Sequence, residues 1–145
     1  MPGLYRVGEG KLDLAEAVRA VAGPDRGAIS TFLGMARDHH AGRRVIRLEY
    51  EAYRPMAEAT LRTIGAEIEQ RFGTPHIAIL HRLGVVGIGE ASVIIAVAAA
   101  HRREAIEGCR FAIERLKAIA PIWKKEHYEH GSIWIEGASP DPTAT

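Results

Sequence analysis

A single cysteine, Cys109, stands among the 145 residues. One thiol excludes an internal disulfide and a multi-thiolate zinc site, and a reducing, cytoplasmic location is the default expectation. Long apolar runs are missing as well. The longest, 91–100, falls short of the ~20 residues of a membrane span, carries Ser92 and ends at His101-Arg102-Arg103. No membrane association is expected. Residues 1–10 lack a charged start followed by an apolar core, so no signal peptide is expected either. Charge of one sign is nearly absent in sum: the formal net charge is +1, which argues against a general nucleic-acid binder. There is no Gly-x-Gly-x-x-Gly, no Walker loop and no Gly-x-Ser-x-Gly. The glycine-rich Gly84-Val85-Val86-Gly87-Ile88-Gly89 lies between two strand-like runs rather than before a helix, and reads as a turn.

What is present is ordinary for a soluble globular chain: 47% hydrophobic and 26% charged residues, with no internal repeat. A chain of this length suits one domain, expected over residues 1–137, with a core that needs no staples. The end of the chain, 138–145, has two prolines and no apolar anchor, and is expected to be disordered. The charge is unevenly spread. Residues 101–125 hold seven Arg and Lys against three Glu, which suggests a local anion site.

Periodicity supplies the elements. Asp13-Leu14-Ala15-Glu16 resembles a capping box opening a helix with Leu14, Ala17, Val18 and Val21 on one face, stopped by Gly23-Pro24. Strands are expected over 28–35 and 45–52, with a polar loop rich in Arg and His over 36–44. Pro55 at a first helical position opens a helix through Phe72, with Ala57, Leu61, Ile64, Ile68 and Phe72 inward. Two strands, 76–83 and 92–99, flank the turn 84–90. A helix follows over 102–120, with Ile106, Cys109, Ile113 and Leu116 inward, and Pro121 ends it. Strands 122–128 and 132–135 turn at His130-Gly131. Strict βαβ alternation is missing and hairpin-like pairs occur, so the expected class is α+β with a largely antiparallel sheet and flanking helices.

Three constellations could carry chemistry. At His101-Arg102-Arg103, basic side chains sit at a helix start and oppose its dipole, which makes sense where a phosphate or carboxylate completes the site; otherwise they simply point outward. Lys117, four residues after Ile113, borders the apolar stripe of its helix, where partial desolvation lowers a lysine pKa toward catalytic use. Lys124 follows on an extended segment folding back from the helix end, and Trp123 and Trp134 could wall a flat pocket. The bland alternative has Lys117 snorkelling to water and Lys124-Lys125 as a solvated edge pair. Third, Arg37-Asp38-His39-His40 is read as a loop with Arg37 as a phosphate fork. Asp-His-His also occurs in metal-dependent phosphoesterases, but no second carboxylate cluster with ligand spacing accompanies it, and no metal site is expected. His76 and His81 alternate with apolar neighbours and read as structural. Cys109 lies on the inward side of its helix; if this protein handles sulfur, the sulfur must arrive on another molecule.

In order along the chain, several stretches together resemble one family. They are Phe32-Leu33-Gly34-Met35-Ala36-Arg37-Asp38-His39, Leu48-Glu49-Tyr50-Glu51-Ala52-Tyr53-Arg54-Pro55-Met56-Ala57, His81-Arg82-Leu83-Gly84 and Ala100-His101-Arg102. Last comes Lys-x3-Pro-x-Trp-Lys-Lys-Glu at 117–126, followed by the Trp134 strand. The family is that of the large, catalytic molybdopterin synthase subunits, and the likeness runs over 27–136. It implies an α/β hammerhead fold and a homodimer. It also implies a small ubiquitin-like sulfur-carrier subunit on each protomer, giving a heterotetramer. By the resemblance, the carrier's C-terminal Gly-Gly thiocarboxylate is expected to enter the site, and two sulfurs to pass to cyclic pyranopterin monophosphate to form the dithiolene of molybdopterin. No bound cofactor is implied. By the resemblance Lys117 and Lys124 are catalytic. The substrate-binding positions are Met35, Ala36, Arg37, His101, Arg102, Lys117, Lys124, Lys125 and Glu126. Met35 stands where relatives often carry a basic residue, and His40 where they often have Asn. Two other readings remain: a docking module for a ubiquitin-like carrier, without chemistry, and a small phosphoesterase built on Asp38-His39-His40.

Overall fold

The computed structural model describes residues 3–135; the end of the chain expected to be disordered, 138–145, lies outside the described residues. Strand β1 (Gly3–Glu9) is followed by helix α1 (Leu14–Val21), β2 (Ala28–Met35), the two-residue β3 (His39–His40) and β4 (Arg43–Ala52). Then come α2 (Arg54–Phe72), β5 (His76–Gly87), β6 (Ala91–Ala99), α3 (Arg102–Ile119), β7 (Ile122–Tyr128) and β8 (Gly131–Ile135). The main path of the sheet is β2-β6-β5-β4-β7-β8, antiparallel throughout, with β3 paired to β4. Only β1 runs parallel to its neighbour, β5. This is the expected α+β class.

Local chemistry explains most boundaries. Asp13 caps α1 by accepting from Ala15 N–H at 3.0 Å. The reciprocal half of the expected capping box does not form, because Glu16 reaches instead to Arg6 on β1 through two bonds of 2.9 and 2.6 Å. Pro55 sits in the first turn of α2, where its missing N–H has no partner to lose, and Gly73 ends that helix at φ 75°. The stretch 36–44 is not all loop. Ala41 (φ 53°) and Gly42 (φ 78°) make a tight turn that pairs His39 and His40 with Arg44 and Arg43.

Two differences concern the sheet. β1 follows no clear sequence pattern; it forms because β5 offers it a parallel edge from Gly3↔Ile77 to Glu9↔Leu83. β5 also runs past Leu83, through residues expected as a turn. Gly84, at φ 82°, bends it, and the strand beyond pairs with β4 from Tyr50↔Gly84 to Arg47↔Gly87.

Alternation on β5 and β6 gives the sheet two apolar faces. Ala78, Leu80, Ile94, Ala96 and Ala98 pack with Ala17 and Val21 of α1. Ile77, Ile79, Val93, Ile95 and Val97 pack under α2 and α3, against Leu61, Ile64, Ile68, Cys109, Ala112 and Leu116. Each fully buried Val, Leu or Ile among them contributes about 1.5–3 kcal/mol. Within α3 the inward face is Ala105, Gly108, Cys109, Ala112 and Leu116. Ile106, expected inward, is 53% exposed. The helix approaches the sheet so closely at Gly108 that small residues take the contact and Ile106 is turned out.

Candidate functional site

α3 returns along β6 after a short link, so its last turn lies at the end of the sheet where β2 finishes and β6 begins. Lys117 is in that last turn. β7 starts immediately beyond it and pairs with β4. Alternation on β7 buries Ile122 and Glu126 and carries Lys124 on the same face; Lys124 is 11% exposed at its side chain. Arg37, just past β2, adds its charge to the same place and lowers the pKa of Lys124. Three cations from a strand exit, a helix end and a strand thus converge, with the buried Glu126 against them.

The electrostatics follow from that crowding. Lys117 is exposed by surface area, yet enough protein surrounds it to act on its charge. Burial lowers its pKa from 10.5 to about 8, and the like charge of Lys124 adds to the effect. Lys124 is also lowered, first by burial; Glu126 opposes the shift and Arg37 reinforces it. For Glu126 burial alone would raise the carboxyl, but hydrogen bonds from Tyr128 and His40 and the charge of Lys124 outweigh it and hold it below its ordinary value. The His40 Nδ1 to Glu126 distance is 2.8 Å, and Lys124 Nζ lies 3.7 Å from the other carboxylate oxygen.

Behind the lysines is a floor that sequence reasoning read as structural. His81 is 5% exposed, on the helix-covered face of β5. Its ring meets Tyr50 edge-on at 5.0 Å, and its Nδ1 lies 2.9 Å from the Arg82 carbonyl. Burial lowers its pKa from 6.5 to about 4, and Lys117 adds to the shift. Tyr50, its hydroxyl bonded to Ser92, has its pKa raised by burial. The signal for His81 was its phase: it shares parity with Ile77 and Ile79.

Other expected site residues are placed elsewhere. Lys125 is on the opposite face of β7 from Lys124, 5.0 Å over the Trp134 ring, so adjacent lysines serve different surfaces. Trp123 and Trp134 share that outer face, away from the Lys117 cluster, and are about half exposed. Ala36 is 2% exposed; its N–H donates to Glu90 O and its carbonyl accepts from Gly89 N–H, so it anchors the loop beside the site. Met35 is half exposed next to it. His101 and Arg102 are exposed at the other end of α3, with about 22 Å of helix axis between Arg102 and Lys117. One protomer therefore does not bring them to the lysines. Glu126 is buried, with His40 and Tyr128 on one carboxylate oxygen and Lys124 nearest the other. In the Asp38-His39-His40 run, His39 bonds Asp38 at 2.9 Å while His40 turns to Glu126. Among the described residues no three His, Cys, Asp or Glu side chains converge as a metal site. Cys109 is buried, and burial pushes its thiol up.

The sequence profile of the MoaE protein family matches residues 7–119. The chain belongs to this family. It is 51% identical over 124 residues to the Homo sapiens molybdopterin synthase catalytic subunit, an overlap of 86% of this chain and 66% of the human protein. Among solved structures it resembles molybdopterin synthase from Staphylococcus aureus, with a TM-score of 0.86 at 37% identity, covering 90% of this chain and 96% of that one. It also resembles a chain in the complex of subunits 1 and 2 of the molybdopterin-converting factor from Helicobacter pylori, with a TM-score of 0.68 at 26% identity, covering 89% and 88%. MoaE membership places the chain in molybdenum cofactor biosynthesis.

Proposed function

We propose that residues 1–137 form one domain acting as the catalytic subunit of a molybdopterin synthase, a sulfur-transferring enzyme with a pterin substrate and a small sulfur-carrier partner. One observation carries the reading: Lys117, Lys124 and Arg37 converge at one end of the sheet. Such a cluster suits an anionic substrate, here cyclic pyranopterin monophosphate. Cys109 is buried, so the sulfur comes from outside, on the C-terminal Gly-Gly thiocarboxylate of a ubiquitin-like carrier. The two-subunit Helicobacter pylori complex supports a carrier as partner.

Each sulfur transfer needs a nucleophilic thiocarboxylate, a proton donor or acceptor at the pterin carbon, and cover for developing negative charge. Lys117, with a pKa of about 8, exchanges a proton near neutral pH and is assigned as the acid/base. Lys124, paired to Glu126, is assigned to stabilise anionic intermediates. A pure docking surface has no need of two desolvated lysines.

Arg37 binds the substrate anion from the same protomer. His101 and Arg102 lie too far along α3 to join it there. A homodimer resolves the distance if the second copy presents its helix start to the site. The test is a reconstitution with cyclic pyranopterin monophosphate and thiocarboxylated carrier, read by mass spectrometry for a product that has gained two sulfurs. Wild type forms it; Lys117→Ala and Arg102→Ala alone do not. Mixed after dissociation and reassociation, the two variants regain one working site per mixed dimer. Carrier binding without product in the wild type overturns the enzyme reading, and silence of the mixture overturns the shared site.

A further inference from the structure

The carboxylate facing Lys124 is itself braced. Glu126 is 2% exposed. Its Oε1 accepts from the Tyr128 hydroxyl and from His40 Nδ1–H, the latter at 2.8 Å. An ionised carboxylate has no proton to give, so His40 must be the donor. Its Oε2 faces Lys124 at 3.7 Å. The donors come from separate elements: Tyr128 ends β7, while His40 rides on β3, which pairs with β4. Arg43, the ladder partner of His40, lies 5.3 Å over the Tyr128 ring and ties the hairpin to the same spot.

We propose that His40 and Tyr128 are positioning residues for sulfur transfer, holding one oxygen of Glu126 so that the other stays on Lys124. Both act through the carboxylate. Freed of one donor, Glu126 gains rotamers that turn Oε2 away, and the Lys124 ammonium loses its counter-charge. The hairpin 39–44 thereby becomes part of the catalytic apparatus. The effect on turnover rests on the assignment of Lys124 to the site, so the test has one arm independent of it.

In that arm, lysine-selective 13C labelling and NMR titration follow Lys124 in the protein without substrate or carrier, assigned with Lys124→Arg. In His40→Ala and in Tyr128→Phe the Lys124 pKa falls; in His40→Asn, which keeps an N–H donor, it stays near the wild-type value. In the second arm, His40→Ala lowers kcat about tenfold in the reconstituted reaction with KM for the pterin unchanged, and His40→Asn recovers most of it. Unfolding midpoints near wild type identify folded variants, and Tyr128→Phe serves if the hairpin variant unfolds. A Lys124 pKa that stays put or rises in both donor-less variants overturns the brace. A shifted Lys124 with wild-type kcat upholds the brace and removes Lys124 from catalysis.

Discussion

Replacing Lys124 with glutamine removes a positive charge beside Lys117 while keeping an extended polar side chain there. Lys117 owes its lowered pKa first to burial and then to Lys124. The variant should therefore raise it from about 8 without restoring the full 10.5, because the larger contribution, burial, remains. The size of the starting shift matters. At pH 7 a lysine of pKa about 8 is roughly one-tenth neutral amine, against roughly one part in three thousand for an ordinary lysine, a gain of about 300-fold in the form that accepts a proton. The assay is an NMR titration of 13C-labelled lysine in wild type and Lys124→Gln, with Lys117→Arg for assignment. A pH profile of single-turnover sulfur transfer in the wild type accompanies it and should show a limb near pH 8. A wild-type Lys117 titrating at 10.5 refutes the desolvation argument. A value of about 8 in both proteins refutes the coupling to Lys124.

His81 predicts an acid-sensitive fold. Its pKa is lowered to about 4 in the folded state, so between that value and 6.5 the unfolded chain binds the extra proton. The stabilisation is full above about 6.5 and is lost as pH falls toward 4, by on the order of 3 kcal/mol. Urea unfolding of wild type against His81→Leu across that range measures it, and parallel curves would exclude His81 as the cause. Gly65→Ala tests the seat of β1 on α2. A Cβ there falls on the Tyr5 hydroxyl, so despite a helix-propensity gain of about 1 kcal/mol the variant should be less stable by about 1–3 kcal/mol. An unfolding midpoint at or above wild type would contradict that packing.

The residues by themselves determined the elements whose stabilisation is local. The apolar repeat from Ala57 to Ile68 between Pro55 and Gly73 made α2 legible, and the β-rich run made β2 legible to its end residues. The ordered motifs identified the chemistry, since Lys-x3-Pro-x-Trp-Lys-Lys-Glu survives as a pattern whether or not its geometry is known. Non-local pairing decided the rest. β1 is a strand because β5 lies beside it, and β5 continues through Gly84 because β4 takes its far end. Period-two alternation implies that Lys124 and Lys125 part company, but only the packing of α3 and β4 says which of them faces the buried site. Glu126 meets His40, 86 residues away in sequence, and no local pattern announces that contact. The helix containing both Arg102 and Lys117 was readable, yet its straight length is what separates them. Periodicity is a property of a few consecutive residues; a site is a property of surfaces that meet, and those are chosen by the register of the whole sheet.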